Sequence, residues 1–232
     1  MRLITDYHCH LYEPVFDPDR DDVIARAKKN GVTRFCCDAS KESDWERIEN
    51  LYRQYGEQTI RPGFGIHPWF ANAAAPGWQD RLTEKLRQYP CAVVAEIGID
   101  WIRRAEVPFD VQTAVFLEQM SIARNYGRNV TIHCLRAWDK MPALLNEFGA
   151  FIPEITFHSF SGATNDIDWL LDRYNAFFSY GVQVLAGVKP KQQKTLQYLR
   201  SIAPDRIRYE SDSPYMPLRP GERNEPAFIV TE

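Results

Sequence analysis

The sequence predicts an α/β fold, a (β/α)8 barrel of TIM type, laid out over residues 1–232 as one domain. Three observations predict it. Short apolar runs alternate with amphipathic stretches from end to end, as when parallel strands are joined by crossover helices. Eight such runs suffice to close a barrel rather than leave an open sheet. No glycine fingerprint follows the first run, which argues against a doubly wound dinucleotide-binding sheet.

The first run, Arg2-Leu3-Ile4, leads into DYHCH, and Leu11-Tyr12-Glu13-Pro14 breaks any helix that would follow. A strand ending at a loop is expected, with His8 and His10 on one side because residues i and i+2 of a strand share a face. DRDDVIARAKKNG then reads as a helix that stops at Gly31. VTRFCCDA is a second strand, and SDWERIENLYRQYG is a helix with Trp45, Ile48, Leu51, Tyr52 and Tyr55 on one side. IRPGFGIHP marks a third strand end, before a helix through WQDRLTEKLRQY. CAVVAEIGI is continuously apolar, as a strand buried on both faces must be. DVQTAVFLEQMSIARNYG is the longest helical pattern. NVTIH, EITFH, AFFSYG and RIRYESD supply four further strands, with helical stretches near 138–148, 164–174 and 190–202. Repeats, low-complexity segments and linkers are absent.

Composition narrows the function classes. Hydrophobic residues make up 44% and charged residues 25%, as in an ordinary globular chain. A net charge of -3 gives no basic footprint for a nucleic-acid coat protein. It leaves open an enzyme that holds phosphate through metal ions. The five cysteines are odd in number and lack CxxC spacing, so free thiols in a reducing cytoplasm are expected. No basic-then-apolar signal opens the chain and no stretch reaches membrane-spanning length, so no membrane is expected as a partner.

The polar residues carry the chemistry. His8 and His10 are expected at the end of strand one, His67 of strand three and Glu96 of strand four. His133 follows on strand five, His158 on strand six and Asp212 on strand eight. Each alone is an ordinary turn, cap or hydrogen-bonded residue. Together they place all five histidines at strand ends, which in a barrel converge on one mouth. Mixed nitrogen and oxygen donors suit zinc, manganese, nickel or iron. Six ligands exceed one tetrahedral ion but suit a carboxylate-bridged pair, and such a pair points to metal-assisted hydrolysis.

DYHCHL, GIHPW, AEIGID, IHCLRAWD, FHSFSG, ESDSPYM and RNEP occur in the order found in the TatD family of metal-dependent hydrolases, which the chain resembles over residues 3–226. That family belongs to the amidohydrolase superfamily. The resemblance implies a distorted (β/α)8 barrel and deoxyribonuclease activity of the 3'-5' exonuclease kind, with nucleic acid as substrate. It implies two divalent ions, zinc, manganese, nickel or magnesium. His8, His10, Glu96 and Asp212 would hold one, and Glu96, His133 and His158 the other, with Glu96 bridging. Asp212 would orient and deprotonate the nucleophilic water, and His67 would approach the scissile phosphate.

The chain departs from the family pattern in places. Tyr12 stands where Asp or Asn is usual, and Arg136, which the resemblance implies as a substrate contact, is displaced by one position within its motif. Trp69 replaces a histidine, offering an indole for base stacking or for packing on a neighbouring loop. NEPAFIVTE ends where the family begins a closing helix, which is therefore expected to be short or missing. Two other functions compete: hydrolysis of a small amide or ester at the same centre, and a metal-held module without turnover. Retention of Asp212 speaks against the second. The oligomeric state is left open.

Overall fold

A computed structural model describes residues 3–229. Arg2 and residues 230–232, which the sequence places at the start of the first strand and in the closing segment, lie outside them. Eight parallel strands form one sheet in sequential order: β1 (Ile4–Cys9), β2 (Val32–Asp38), β3 (Ile60–Phe64), β4 (Val93–Asp100), β5 (Val130–Leu135), β6 (Ile155–Phe157), β7 (Ala176–Gly181) and β8 (Ile207–Glu210). The sheet curls into the expected barrel. All eight residues of β4 are buried, as its unbroken apolar run requires.

The helices are α1 (Arg20–Lys29), α2 (Trp45–Tyr55), α3 (Trp78–Gln88), α4 (Phe109–Asn125), α5 (Met141–Leu145), α6 (Thr164–Arg173), α7 (Val182–Leu185) and α8 (Pro190–Ile202). Two differ from expectation. The stretch near 138–148 yields only the five-residue α5, because Pro142 admits a helix only within its first turn. One unexpected turn, α7, directly follows β7.

Closure is irregular. No ladder joins β8 to β1 among the described residues. The seam is held at the strand ends, where the Asp212 amide donates to the His8 carbonyl at 2.9 Å and the His10 amide to the Ser213 carbonyl at 2.8 Å. Deeper in, the Asp6 carboxylate takes the place of a neighbouring strand. It accepts from the Ser211 amide at 2.9 Å and the Ser211 hydroxyl at 2.6 Å. Burial pushes Asp6 up to about 7 against the pull of those hydrogen bonds.

After β8 there is no α-helix among the described residues. A 3-10 turn at Pro226–Phe228 docks on α1 instead, where Asn30 Nδ2 donates to the Ala227 carbonyl at 2.9 Å. Arg26 and Arg223 both pair with Glu225 there, each at 2.9 Å.

Candidate metal centre

All five histidines, Glu96 and Asp212 gather at the C-terminal mouth of the barrel. His8 is the penultimate residue of β1, at the strand end where the sequence places it. His10 follows β1 directly. Glu96 sits in the middle of β4 and His133 two residues before the end of β5, since both strands continue beyond the expected stop. His67 lies three residues beyond β3, where it caps the 3-10 turn Pro68–Ala73. His158 and Asp212 follow β6 and β8 in the left-handed or extended loops of the rim.

The backbone at this rim is unusual. Among the described residues, Arg136, Ser159, Asp212 and Met216 are the four non-glycine residues with positive φ, at 52°, 43°, 56° and 52°. Such a conformation costs on the order of 1–3 kcal/mol per residue and is kept where the surroundings enforce it. Arg136, Ser159 and Asp212 lie at strand exits, and Met216 lies in the loop after β8 that lines the same cavity. Gly98, with φ of 141°, lies where β4 crosses the His133 backbone, and a Cβ there would overlap that carbonyl.

Two amides on α4 fix the approaches to the site. Gln119 Oε1 accepts from the Ile66 amide at 2.7 Å, and its Nε2 donates to the Ile66 carbonyl at 3.1 Å. Gln112 does the same for Asp100, at 2.8 and 3.1 Å. Both glutamines are buried. Each supplies the ladder partner that a strand end leaving the sheet would lack. They set the backbones beside His67 and the end of β4.

Ring tautomers follow from the partners. His8 Nδ1 donates to Asp38 Oδ2 at 2.8 Å, His10 Nδ1 to the Asp38 carbonyl at 2.9 Å and His158 Nδ1 to Glu210 Oε2 at 3.0 Å. Each therefore turns Nε2 inward, the orientation that acidic partners impose on ligating histidines. His133 is reversed, with Nδ1 3.0 Å from Glu96 Oε1 and Nε2 3.4 Å from Asp100 Oδ2. Tyr12 backs His10 with its hydroxyl 3.2 Å from Nδ1, so the departure at that position still has a place in the site.

Glu96 stands at the centre. Its Oε2 lies 3.3 Å from His8 Nε2, while its Oε1 faces His133 at 3.0 Å, His67 at 3.4 Å and His158 at 3.7 Å. Asp212 spans the same gap, with Oδ1 3.3 Å from His10 and Oδ2 4.0 Å from His158. Donor groups His8–His10–Asp212, His8–Glu96–His158 and His67–Glu96–His133 each lie within coordinating reach of one another.

The donors fit divalent cations. His8 Nε2 is buried with no hydrogen-bond partner, facing Glu96 Oε2 and, at 3.8 Å, Asp212 Oδ1. Polar atoms so enclosed are costly unless something satisfies them, and a cation among them does so.

Electrostatics point the same way. Burial raises Glu96, but His67, His8 and His158 outweigh it and hold the carboxyl well below its ordinary range. Burial likewise opposes, and the His10 hydrogen bond wins, in lowering Asp212. Burial pushes His8 down, yet Glu96 and Asp38 carry it well above the usual imidazole value. His133 rises to about 9 against burial, through Asp100 and Glu96. Protons and divalent cations compete for these nitrogens.

His67 is the exception. Burial lowers it to about 4, so it is neutral near pH 7. Its Nδ1 accepts from the Trp69 amide at 3.2 Å, which leaves the proton on Nε2. Distance alone would admit it as a ligand, but this tautomer makes it a donor toward the centre.

The centre opens into a cavity of about 450 Å³ lined by His10, His67, Glu96, His133, His158 and Asp212. Trp69 lines its rim, 43% exposed, with its indole N–H donated to Asp100 Oδ2 at 2.6 Å and Arg103 over the ring at 4.7 Å. Arg136 is not brought into this cavity. It faces a neighbouring one with Trp138 and Lys189.

A family model described as TatD related DNase matches residues 5–231. The chain belongs to that family. It is 27% identical over 236 residues to the 3'-5' ssDNA/RNA exonuclease TatD of Erwinia billingiae, covering 97% of this chain and 86% of that one. It is also 27% identical to the uncharacterized metal-dependent hydrolase YjjV of Escherichia coli K12, over 95% of this chain and 84% of the relative. The crystal structure of that TatD homolog superposes with a TM-score of 0.84 at 25% identity, covering 97% and 85% of the two chains. A TatD-family hydrolase from Entamoeba histolytica shares the fold at a TM-score of 0.80 and 18% identity, covering 98% and 88%.

Sequence reasoning missed the supports of this TatD centre. Asp100 and Glu210 lie inside motifs read for their neighbours. Asp38 ends a strand just before a turn, a position that looks like any loop acid. Gln112 and Gln119 are seven apart on an otherwise apolar helix face, and that spacing was the available signal.

Proposed function

We infer that this TatD-family protein is a metal-dependent nuclease, cleaving phosphodiester bonds of DNA from the 3' end, with residues 1–232 acting as one hydrolase domain. The observation that carries the reading is Glu96, whose two oxygens face different histidine sets while Asp212 reaches both. His8, His10, Glu96 and Asp212 would hold one ion and Glu96, His133 and His158 the second, as zinc, manganese, nickel or magnesium. When bound, such ions lower the pKa of a water and neutralise charge on phosphoryl oxygens.

The rest falls to the chain. Asp212, held in its charged form, orients the attacking water and takes its proton. His67 donates a hydrogen bond from its Nε2–H to a phosphoryl oxygen, and its low pKa keeps the ring neutral while doing so. Trp69 offers the rim of the cavity a stacking face for the terminal base. Names of relatives as single-strand exonucleases support the substrate class. The free cysteines fit a cytoplasmic protein.

Asp212→Asn tests the mechanism, because it keeps the shape and removes the base. Single-turnover cleavage of a short single-stranded oligonucleotide should slow by about 10²-fold or more with the fold intact by circular dichroism. Cleavage at the parental rate would refute the role. A parent that hydrolyses simple amides or esters and no phosphodiester would shift the substrate class.

A further inference from the structure

A second cavity of about 330 Å³ adjoins the metal cavity, and Leu135 and Ser161 line both. Its remaining walls are Arg136, Trp138, Lys189, Pro190, Lys191 and Gln192. The chemistry of this lining is one-sided: three cations and no carboxylate. The side chains of Arg136, Lys189 and Lys191 have no hydrogen-bond or ion-pair partner among the described residues. Elsewhere on the surface Arg20, Arg81, Arg103 and Arg223 are tied to acids. Unpaired like charges around one concavity repel one another, and anions relieve that repulsion.

The walls are also fixed relative to the metal centre. Trp138 donates its indole N–H to Ser161 Oγ at 3.2 Å and packs edge-on against Phe160 at 4.8 Å between ring centres. Gln192 Nε2 donates to the carbonyls of Ser159 and Phe160 at 3.2 and 3.0 Å, which ties the start of α8 to the loop that carries His158. Arg136 holds its left-handed conformation at the exit of β5.

We propose that this second cavity is a backbone subsite for single-stranded nucleic acid, gripping the phosphates of nucleotides next to the one seated over the metal centre. The proposal rests on the nuclease reading and names how that site would prefer a strand to a mononucleotide. Lys189 and Lys191 supply charge from the start of α8, Arg136 from the end of β5, and Trp138 an aromatic floor. Grooves that combine cations with such a platform bind single strands with little sequence preference.

The test uses the full chain in chelator, with a labelled oligothymidylate of about eight nucleotides as the probe in fluorescence anisotropy across a salt series. Lys189→Glu/Lys191→Glu should raise Kd about tenfold or more and reduce the slope of log Kd against log salt by about one. Lys189→Ala/Lys191→Ala should shift both in the same direction by less, and it guards against a folding defect in the charge reversal. In cleavage with saturating divalent metal, the reversal should raise KM for the eight-nucleotide strand well above its effect on a dinucleotide. Unchanged Kd and salt slope, equal KM effects at both lengths, or no binding by the parent would each overturn the subsite. A parent whose binding weakens in these variants, yet which cleaves no phosphodiester with any metal, upholds the subsite and refutes the nuclease reading instead.

Discussion

The two ends of the barrel interior bury the same kinds of charge and arrive at opposite results. Toward the N-terminal ends of the strands, Arg208 reaches Glu154 at 2.7 Å, bonds to Thr156 and lies over the Phe177 ring at 3.9 Å. The space left there is about 10 Å³, roughly the room one water occupies. At the C-terminal mouth, Glu96 and Asp212 face four imidazoles, those of His10, His67, His133 and His158, across an opening of about 450 Å³. The left-handed non-glycine residues collect there too. One end pairs its charge in a fixed fork with packed rings. The other converges donors from six strands or their exits on points that no side chain fills. A barrel tolerates such an arrangement at one end because the other is closed, and strand ends rather than strand middles can be re-aimed by loops.

The largest effect that would sharpen this contrast is expected from the mouth. Glu96→Ala should lower metal content at both positions and cut turnover by on the order of 10³-fold, the scale of losing a principal electrostatic group. His158→Ala should mainly empty one position. Metal analysis by mass spectrometry reads the difference, and full occupancy in both variants would break the bridging role.

A smaller effect, and a different kind, is expected from the closed end. Arg208→Met keeps the apolar stem between Tyr7 and Phe177 but removes the fork. It should cost about 1–3 kcal/mol in unfolding free energy, lowering Tm by several degrees, because Glu154 loses its charged partner. Metal content and KM should stay as in the parent. A fall in metal content would show that the two ends are coupled after all.

A third effect, read in the pH dependence of stability rather than in turnover, lies at the seam. Asp6 has a folded pKa of about 7 against an ordinary value of 3.8, so the native state holds its proton more tightly than the unfolded chain does. That contribution makes stability decline as pH rises from about 4 to about 7. Asp6→Asn keeps both contacts, with Oδ1 accepting from the Ser211 amide and Nδ2 donating to its hydroxyl. Urea midpoints of the variant should exceed the parent's more at pH about 7.5 than at about 4.5. A constant difference across that range would remove Asp6 from the account of the seam.

What the sequence determined by itself was the alternation of elements and the residues that meet. Apolar periodicity is local, so α1, α2, α3, α4, α6 and α8 were legible to within a few residues, as was the buried run of β4. The joint placement of histidines at strand ends was legible because a barrel turns chain order into a ring around one mouth. Tertiary structure decided what local pattern does not encode. It decided that His10 stands just past the end of β1, and that His67 stands three residues beyond its strand as a neutral donor. It turned Arg136 toward the second cavity and set Trp69 against Asp100. Asp38, Asp100 and Glu210 acquired their roles as partners of ring nitrogens, and Gln112 and Gln119 as partners of strand-end backbone. Those roles depend on groups distant in the chain arriving within about 3 Å with the right tautomer, a condition that packing imposes and periodicity cannot specify.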